Sequence, residues 1–187
     1  MINRFYYLHY MSEYRKTHPA GLFFVTLTVV GWINVFDRSI YKDILISNLK
    51  HCQEKEGLQI YAYVIMSNHF HMVAAREPDK DLTELLGRFK SFTAKKILNE
   101  IKENNQESRR EWLLKLFEYF ARENKQYDKY HFWQYTNQPT LLYSADVIKQ
   151  KINYIHQNPV RAGLVNDAAN YIYSSACLDS PLKVLDI

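Results

Sequence analysis

Two short motifs contain the residues of this chain whose types and spacing suit catalysis. The first is His69-Phe70-His71, and the second includes Tyr154 and Asn158. Side chains alternate between the faces of a β-strand, so His69 and His71 would project from one side as a pair of metal ligands. Residues four apart share a helix face, so Tyr154, a candidate nucleophile, would lie beside Asn158.

The histidine pair needs a further ligand before it can be a metal site. Two imidazoles hold a divalent cation well only when a third group completes the site and the ring nitrogens are neutral. No cluster of Cys or His lies next to them in the sequence, so Asn158 or a neighbour on its helix is the natural candidate. Ordinary structural histidines, and a tyrosine packed on a sheet, would account for the same residues without any function.

The composition indicates a globular protein of one domain, residues 1–187, in which residues 1–20 form a short arm. Its formal charge of +4 suits a polyanionic partner, and its fifteen Tyr and ten Phe residues could stack on bases, although most should fill the core. Cys52 and Cys177 have no metal-type spacing and predict reduced thiols. With no signal sequence and no membrane-length apolar run, we expect a cytoplasmic protein without a membrane partner.

Apolar periodicity predicts the elements that would position the motifs. β-branched and aromatic residues predict a strand at 22–30, and helical spacing predicts a helix at 39–56. Strands at 59–66 and 69–75 follow, joined by a tight turn at Ser67-Asn68. The histidine motif would therefore begin the second strand of a hairpin.

Asp81 is a plausible N-cap for a long amphipathic helix that follows this hairpin. Its outer face contains Arg88, Ser91 and Lys95, which could contact phosphates. A solvated helix surface explains the same residues equally well, because charged outer faces are the norm. Arg88 and Lys95 are therefore candidate DNA-binding residues, with this alternative open.

The rest of the chain predicts an inserted helix at 109–123, a short strand at 130–134 and a helix capped by Ser144. That last helix should end near Asn158, because Pro159 disfavours the helical conformation in the residue before it. The resulting order is βαββαβ. We therefore predict an α+β, ferredoxin-like antiparallel sheet with helices on one face, an inserted helix and a C-terminal helix that contains the tyrosine.

Together, residues 64–71 (Val-Ile-Met-Ser-Asn-His-Phe-His) and 154–165 (Tyr-Ile-His-Gln-Asn-Pro-Val-Arg-Ala-Gly-Leu-Val) resemble a known family. The chain is similar to the single-tyrosine HUH transposases of the IS200/IS605-like group, and most to their REP-associated branch. The similarity extends from the first strand to residues 173–176. Ser67 departs from the pattern, since relatives often have proline at this position.

The resemblance implies a transposase that cleaves and transfers single-stranded or hairpin DNA. It makes His69 and His71 ligands for Mg²⁺ or Mn²⁺ and makes Tyr154 the nucleophile that forms a 5′-phosphotyrosine intermediate. Asn158 occupies the place of a polar metal ligand in relatives, although an asparagine that caps the helix end explains it as well. Arg161 could contact a phosphate or simply be solvated. Related enzymes are usually homodimers, so a homodimer is expected here.

Two other functions fit the same sequence. One is a ferredoxin-like protein that binds single-stranded nucleic acid through aromatic stacking and does not cleave it. The other is a domesticated HUH nickase that acts on host repeats. A requirement for a metal ion distinguishes the first of these from the transposase, because stacking needs no ion.

Overall fold

A computed structural model describes residues 21–78, 80–123, 129–135 and 139–187. The predicted N-terminal arm, residues 1–20, lies outside them. Four strands form one antiparallel sheet: β1, Phe23–Thr28; β2, Leu58–Ile65; β3, His69–Arg76; and β4, Thr140–Leu141.

The strand order is β2-β3-β1-β4, which places β3 between two strands that precede it in sequence. β1 and β2 both run antiparallel to β3, so they are parallel to each other and are joined by a crossover helix. This split βαβ arrangement is that of ferredoxin-like folds. The predicted fold class is therefore confirmed, and the histidine motif begins a central strand.

Four helices cover the sheet: α1, Ser39–Lys55; α2, Leu82–Glu103; α3, Arg110–Arg122; and α4, Ala145–Arg161. The buried residues of α1, α2 and α3 form one core with alternate residues of β1, β2 and β3. Residues of α4 pack in a second, smaller cluster with the intervening residues of the same strands. Because strand side chains alternate between faces, α4 lies on the face opposite the other helices.

The predicted strand at residues 130–134 is wrong in its extent. The segment forms an isolated bridge between Trp133 and Val29, just after β1, and the fourth strand is β4 instead. His131, Phe132 and Trp133 are all buried, and the ring of Phe132 packs against that of Phe117 in α3. The aromatic composition therefore reflects burial in the core rather than pairing in a ladder.

The end of α4 also differs from the prediction. The helix continues through Pro159 to Arg161 instead of ending near Asn158. Pro159 is buried, and the amide of Ala162 donates to the carbonyl of Asn158 over 3.0 Å. Proline removes one hydrogen-bond donor, but so close to the C-terminus only one further turn depends on it. The extra turn keeps Arg161 on the same helix as Tyr154.

The C-terminal segment lies along the outer edge of β2. The amide of Ile65 donates to the carbonyl of Tyr173 over 2.9 Å, and that of Ser175 donates to Tyr63 over 3.0 Å. Such pairing covers an edge that would otherwise expose unsatisfied backbone groups. Within the described ranges, no helix is both long and apolar enough to cross a membrane.

Candidate active site

The register between β1 and β3 places both histidines on the face that α4 covers. His71 lies opposite Thr26 and His69 lies opposite Thr28, while Phe70 points into the larger core. The centroids of the two imidazole rings are 4.7 Å apart. The alternation expected of a strand therefore brings the two histidines together.

His71 is a buried, neutral imidazole with one ring nitrogen still available. Its Nδ1 lies 2.8 Å from Oγ1 of Thr26, whereas its buried Nε2 has no hydrogen-bond partner among the described residues. Burial lowers the pKa of His71 to about 3, and the nearby His69 and Lys151 act in the same direction. Buried polar atoms are normally satisfied, so this nitrogen suits a ligand that the protein itself does not supply.

His69 is oriented by a short hydrogen-bond chain through Asn68. The Asn68 amide nitrogen donates to the carbonyl oxygen of Trp32 over 3.2 Å and to Oδ1 of Asn34 over 2.7 Å. A carbonyl can only accept, so Oδ1 of Asn68 must be the atom that faces Nδ1 of His69, at 2.7 Å. His69 therefore donates from Nδ1, which leaves Nε2 as its ligating atom.

Tyr154 of α4 packs against His71. Its ring centroid is 5.3 Å from that of His71, with the two planes at 65°. Phe24 of β1 stacks on His71 at 5.3 Å and meets the edge of Tyr154 at 6.0 Å. A packed group of rings thus joins the tyrosine to the histidines within one chain.

Two cationic side chains flank Tyr154. Nζ of Lys151 lies 5.7 Å from the centre of the tyrosine ring and 4.6 Å from that of Phe24, and Cζ of Arg161 lies 5.6 Å from the tyrosine ring. Lys151 and Arg161 are three residues before and seven after Tyr154, so all three share a helix face. The site therefore combines two imidazole ligands, a phenol and two positive charges.

Asn158 is half-buried one turn after Tyr154. Its amide nitrogen donates to the backbone oxygen of Tyr154 over 2.9 Å, which leaves Oδ1 as the atom that could bind a ligand. This bond also fits the structural role left open by the sequence. In the part of the chain that the structure describes, no group of three or more His, Cys, Asp or Glu residues could hold a metal ion.

The two histidines and Asn158 fit a divalent ion whose remaining coordination positions are filled by oxygen ligands. Two neutral imidazole nitrogens, from His69 and His71, occupy adjacent positions on one strand face. An amide oxygen of Asn158 and oxygens of a bound phosphate are hard ligands of the kind that Mg²⁺ and Mn²⁺ prefer. The fit depends on oxygen donors outside the histidine pair.

Two candidate DNA-binding residues from the sequence, Arg88 and Lys95, lie away from this group. Arg88 on α2 is already paired, since it contacts Glu56 and also Oε1 of Glu84 at 2.7 Å. Lys95 is exposed on the same helix, which packs on the far face of the sheet. Nε2 of His156 bonds to Oγ of Ser175 at 2.9 Å, which gives it a structural contact with the C-terminal segment.

Sequence reasoning missed Phe24, Thr26 and Lys151. Lys151 could have been found from its helical spacing to Tyr154, because residues three apart share a face. Phe24 and Thr26 alternate along β1, but only the register with β3 shows that they meet His71. Asn68 was assigned to a turn, and nothing in the sequence indicates its bond to His69.

Comparisons with known proteins agree with the fold, and the family match includes the histidine motif. Residues 32–121 match the family described as "Transposase IS200 like", a range that includes His69 and His71 but ends before Tyr154. A solved structure of a REP-associated tyrosine transposase bound to a REP hairpin matches with a TM-score of 0.57 and 15% identity. That match covers 84% of this chain and 77% of the other. At this identity, the likeness concerns the fold.

No curated protein matches the chain. The family match nevertheless spans α1, the β2-β3 hairpin and the histidine motif, the first of the two motifs that carry the sequence resemblance. The sheet and helices agree with the fold of that REP-associated tyrosine transposase. Residues 32–121 are thus similar to the IS200-like transposases, and the fold is similar to that of a REP-associated tyrosine transposase.

Proposed function

We propose that this protein is a transposase that cleaves and rejoins single-stranded or hairpin DNA through a covalent bond to Tyr154. The observation that supports this most is the position of the Tyr154 ring, 5.3 Å from that of His71, whose buried Nε2 has no hydrogen-bond partner among the described atoms. A candidate nucleophile and a candidate metal ligand thus lie side by side. The REP-hairpin complex of the structural relative supports DNA as the substrate class.

His69 and His71 would hold a divalent ion, Mg²⁺ or Mn²⁺, with Asn158 as the proposed third protein ligand. Such an ion polarises the scissile phosphate and neutralises charge that develops on its oxygens. The protein itself orients the ligands. Thr26 holds the ring of His71 and Asn68 holds that of His69, so the Nε2 atoms of both histidines need little reorganisation to bind the ion.

The chemical step is an in-line displacement at phosphorus. The hydroxyl oxygen of Tyr154 forms a bond to phosphorus and passes its proton to water, while the bond from phosphorus to the 3′ oxygen breaks. The leaving oxygen takes up a proton and becomes a free 3′-hydroxyl. The phosphate stays on Tyr154, so the bond energy is retained and a 3′-hydroxyl can later reverse the reaction without ATP.

Lys151 and Arg161 would stabilise the negative charge of the phosphate as it is attacked. Both positive groups lie within 6 Å of the tyrosine ring centre, at 5.7 and 5.6 Å. Fixed charges act most strongly in a site from which water is partly excluded. Because histidines and tyrosine meet within one chain, we propose that Tyr154 acts in its own subunit; the homodimer itself remains a prediction.

The experiment that tests the proposal compares DNA cleavage with and without a chelator. A hairpin oligonucleotide with single-stranded flanks, incubated with Mn²⁺, should give cleaved strands that disappear when EDTA is added. His71→Ala should lose cleavage but keep most DNA affinity, because phosphate contacts supply affinity separately from the chemistry. His51→Ala is the matched control, since His51 is exposed on α1.

The outcome that contradicts the proposal is equally defined. If His71→Ala and native protein bind DNA alike, and neither yields a metal-dependent product, the chain is a non-catalytic single-strand binding protein. If the native protein still cleaves DNA in EDTA and the His71→Ala variant also cleaves it, the histidine pair is not the metal site.

A further inference from the structure

Trp32 is an exposed aromatic residue at the edge of the proposed site. It is 60% exposed, although large apolar side chains are usually covered. Its ring lies 5.9 Å from the ring of His69, with the planes 73° apart. An indole surface that faces solvent therefore adjoins a proposed metal ligand.

The turn that presents Trp32 is held in an unfavourable conformation. Trp32 has a φ of 56°, and no other non-glycine residue in the described ranges has a positive φ. Such a conformation is an outlier for a bulky residue and points to a role when the surroundings maintain it. Packing within the larger core does not explain it, because the side chain is exposed.

Two contacts fix this turn. Gly31 has a φ of 60°, and a Cβ atom there would lie 2.4 Å from the ring of Phe120 in α3, so the backbone is pressed against that helix. On the other side, the carbonyl of Trp32 accepts the 3.2 Å hydrogen bond from Asn68, the residue that also orients His69. The backbone of Trp32 is thus held by the same side chain that contacts His69, the proposed metal ligand.

We propose that Trp32 stacks on an unpaired nucleobase of the DNA strand next to the scissile phosphate. Indole rings stack on any base, and a platform that is already ordered loses little conformational freedom on binding. The position beside His69 would hold the strand so that its neighbouring phosphate reaches the two histidines. The placement next to the scissile phosphate rests on the proposed function; the stacking itself does not.

The test measures whether the contribution of Trp32 to DNA affinity requires the presence of bases. In a Tyr154→Phe background with EDTA, so that no cleavage occurs, fluorescence anisotropy would give Kd for a labelled oligothymidylate and for an abasic strand with the same backbone. We expect Trp32→Ala to weaken binding of the oligothymidylate about tenfold and to leave binding of the abasic strand nearly unchanged. Trp32→Phe should restore most of the loss.

Trp112→Ala provides the matched control. Trp112 is a similarly exposed tryptophan, at 53%, on helix α3, which packs in the larger core on the other face of the sheet. It should leave both affinities unchanged, and thermal unfolding should show that each variant is folded. Equal weakening for both strands, no weakening for either, or loss of a dimer with unchanged DNA affinity would each overturn the proposal. Since no cleavage is measured, stacking can fail while Tyr154 chemistry stands, or the reverse.

Discussion

The ring of Tyr154 meets the ring of His71 at a centroid distance of 5.3 Å, across the face of the sheet opposite helices α1 to α3. This contact depends on α4 packing on the second face, where Ile155 and Pro159 are its buried residues. Two segments far apart in sequence thereby form one site. The proposed chemistry requires this contact.

Asn68→Ala should weaken metal binding without removing a ligand. The substitution deletes the acceptor that keeps the Nδ1 proton on His69, so the ring loses its fixed orientation. Loss of such a partner typically costs 10- to 100-fold in metal affinity. Isothermal titration with Mn²⁺ would measure this effect, and unchanged affinity would show that Asn68 only shapes the turn. Asn105→Ala, on the loop before α3, serves as the control.

Lys151→Ala and Arg161→Ala should weaken binding of single-stranded DNA and slow its cleavage. Each removes one positive charge beside Tyr154, and loss of one phosphate contact should reduce the salt dependence of log Kd by about one unit of slope. Titrations at several salt concentrations, with single-turnover cleavage rates, would measure both effects. Lys151→Arg should retain most of the binding, because it keeps the charge.

Arg88→Ala and Lys95→Ala test whether DNA also contacts the outer face of α2. Arg88 already pairs with Glu56 and Glu84, and α2 contributes to the opposite core. We expect both variants to bind single-stranded DNA with unchanged affinity in the same titrations. A loss as large as that of Lys151→Ala would show instead that DNA also contacts α2.

Metal-free protein should lose stability as the pH falls below about 6.5, the ordinary histidine pKa. The folded state holds the pKa of His71 near 3, so the unfolded chain takes up a proton first. The contribution of His71 to folding stability is therefore intact above pH 6.5 and is lost progressively as the pH falls to about 3. Burial lowers the pKa values of His69 and His156 as well, so they act in the same direction.

Urea denaturation in EDTA at pH 7 and pH 5 would measure this dependence. By linkage, His71 alone should reduce the free energy of unfolding by up to about 2 kcal/mol between these values. His71→Gln should have a correspondingly smaller pH dependence, whereas exposed His51→Gln should behave like the native chain. An unchanged dependence in His71→Gln would mean that His71 is not neutral in the folded protein.

Local sequence patterns predicted most of the elements. Asp81 and Ser144 cap α2 and α4 as expected, because their side chains accept from backbone amides in the first turn. The two histidines share a face because strand alternation is a local property. Features within one element were therefore accessible from the sequence.

Features that depend on contacts between elements could not be predicted from the sequence. The aromatic run at residues 130–134 resembles a strand, but only tertiary burial distinguishes it from one. Phe24 and Thr26 join the site through the register of β1 with β3, which the sequence does not encode locally. Likewise, the strained turn at Trp32 is imposed by Phe120 and Asn68 from other parts of the chain.

The central claim, that Tyr154 is the nucleophile, is tested most directly by locating the DNA on the protein. Hairpin DNA incubated with Mn²⁺ would be digested, and the covalent nucleotide-peptide would be identified by mass spectrometry. We expect a 5′-phosphate on Tyr154, no adduct in Tyr154→Phe, and a normal adduct in Tyr119→Phe, because Tyr119 is exposed on α3. An adduct on another residue, or one that persists in Tyr154→Phe, would contradict it.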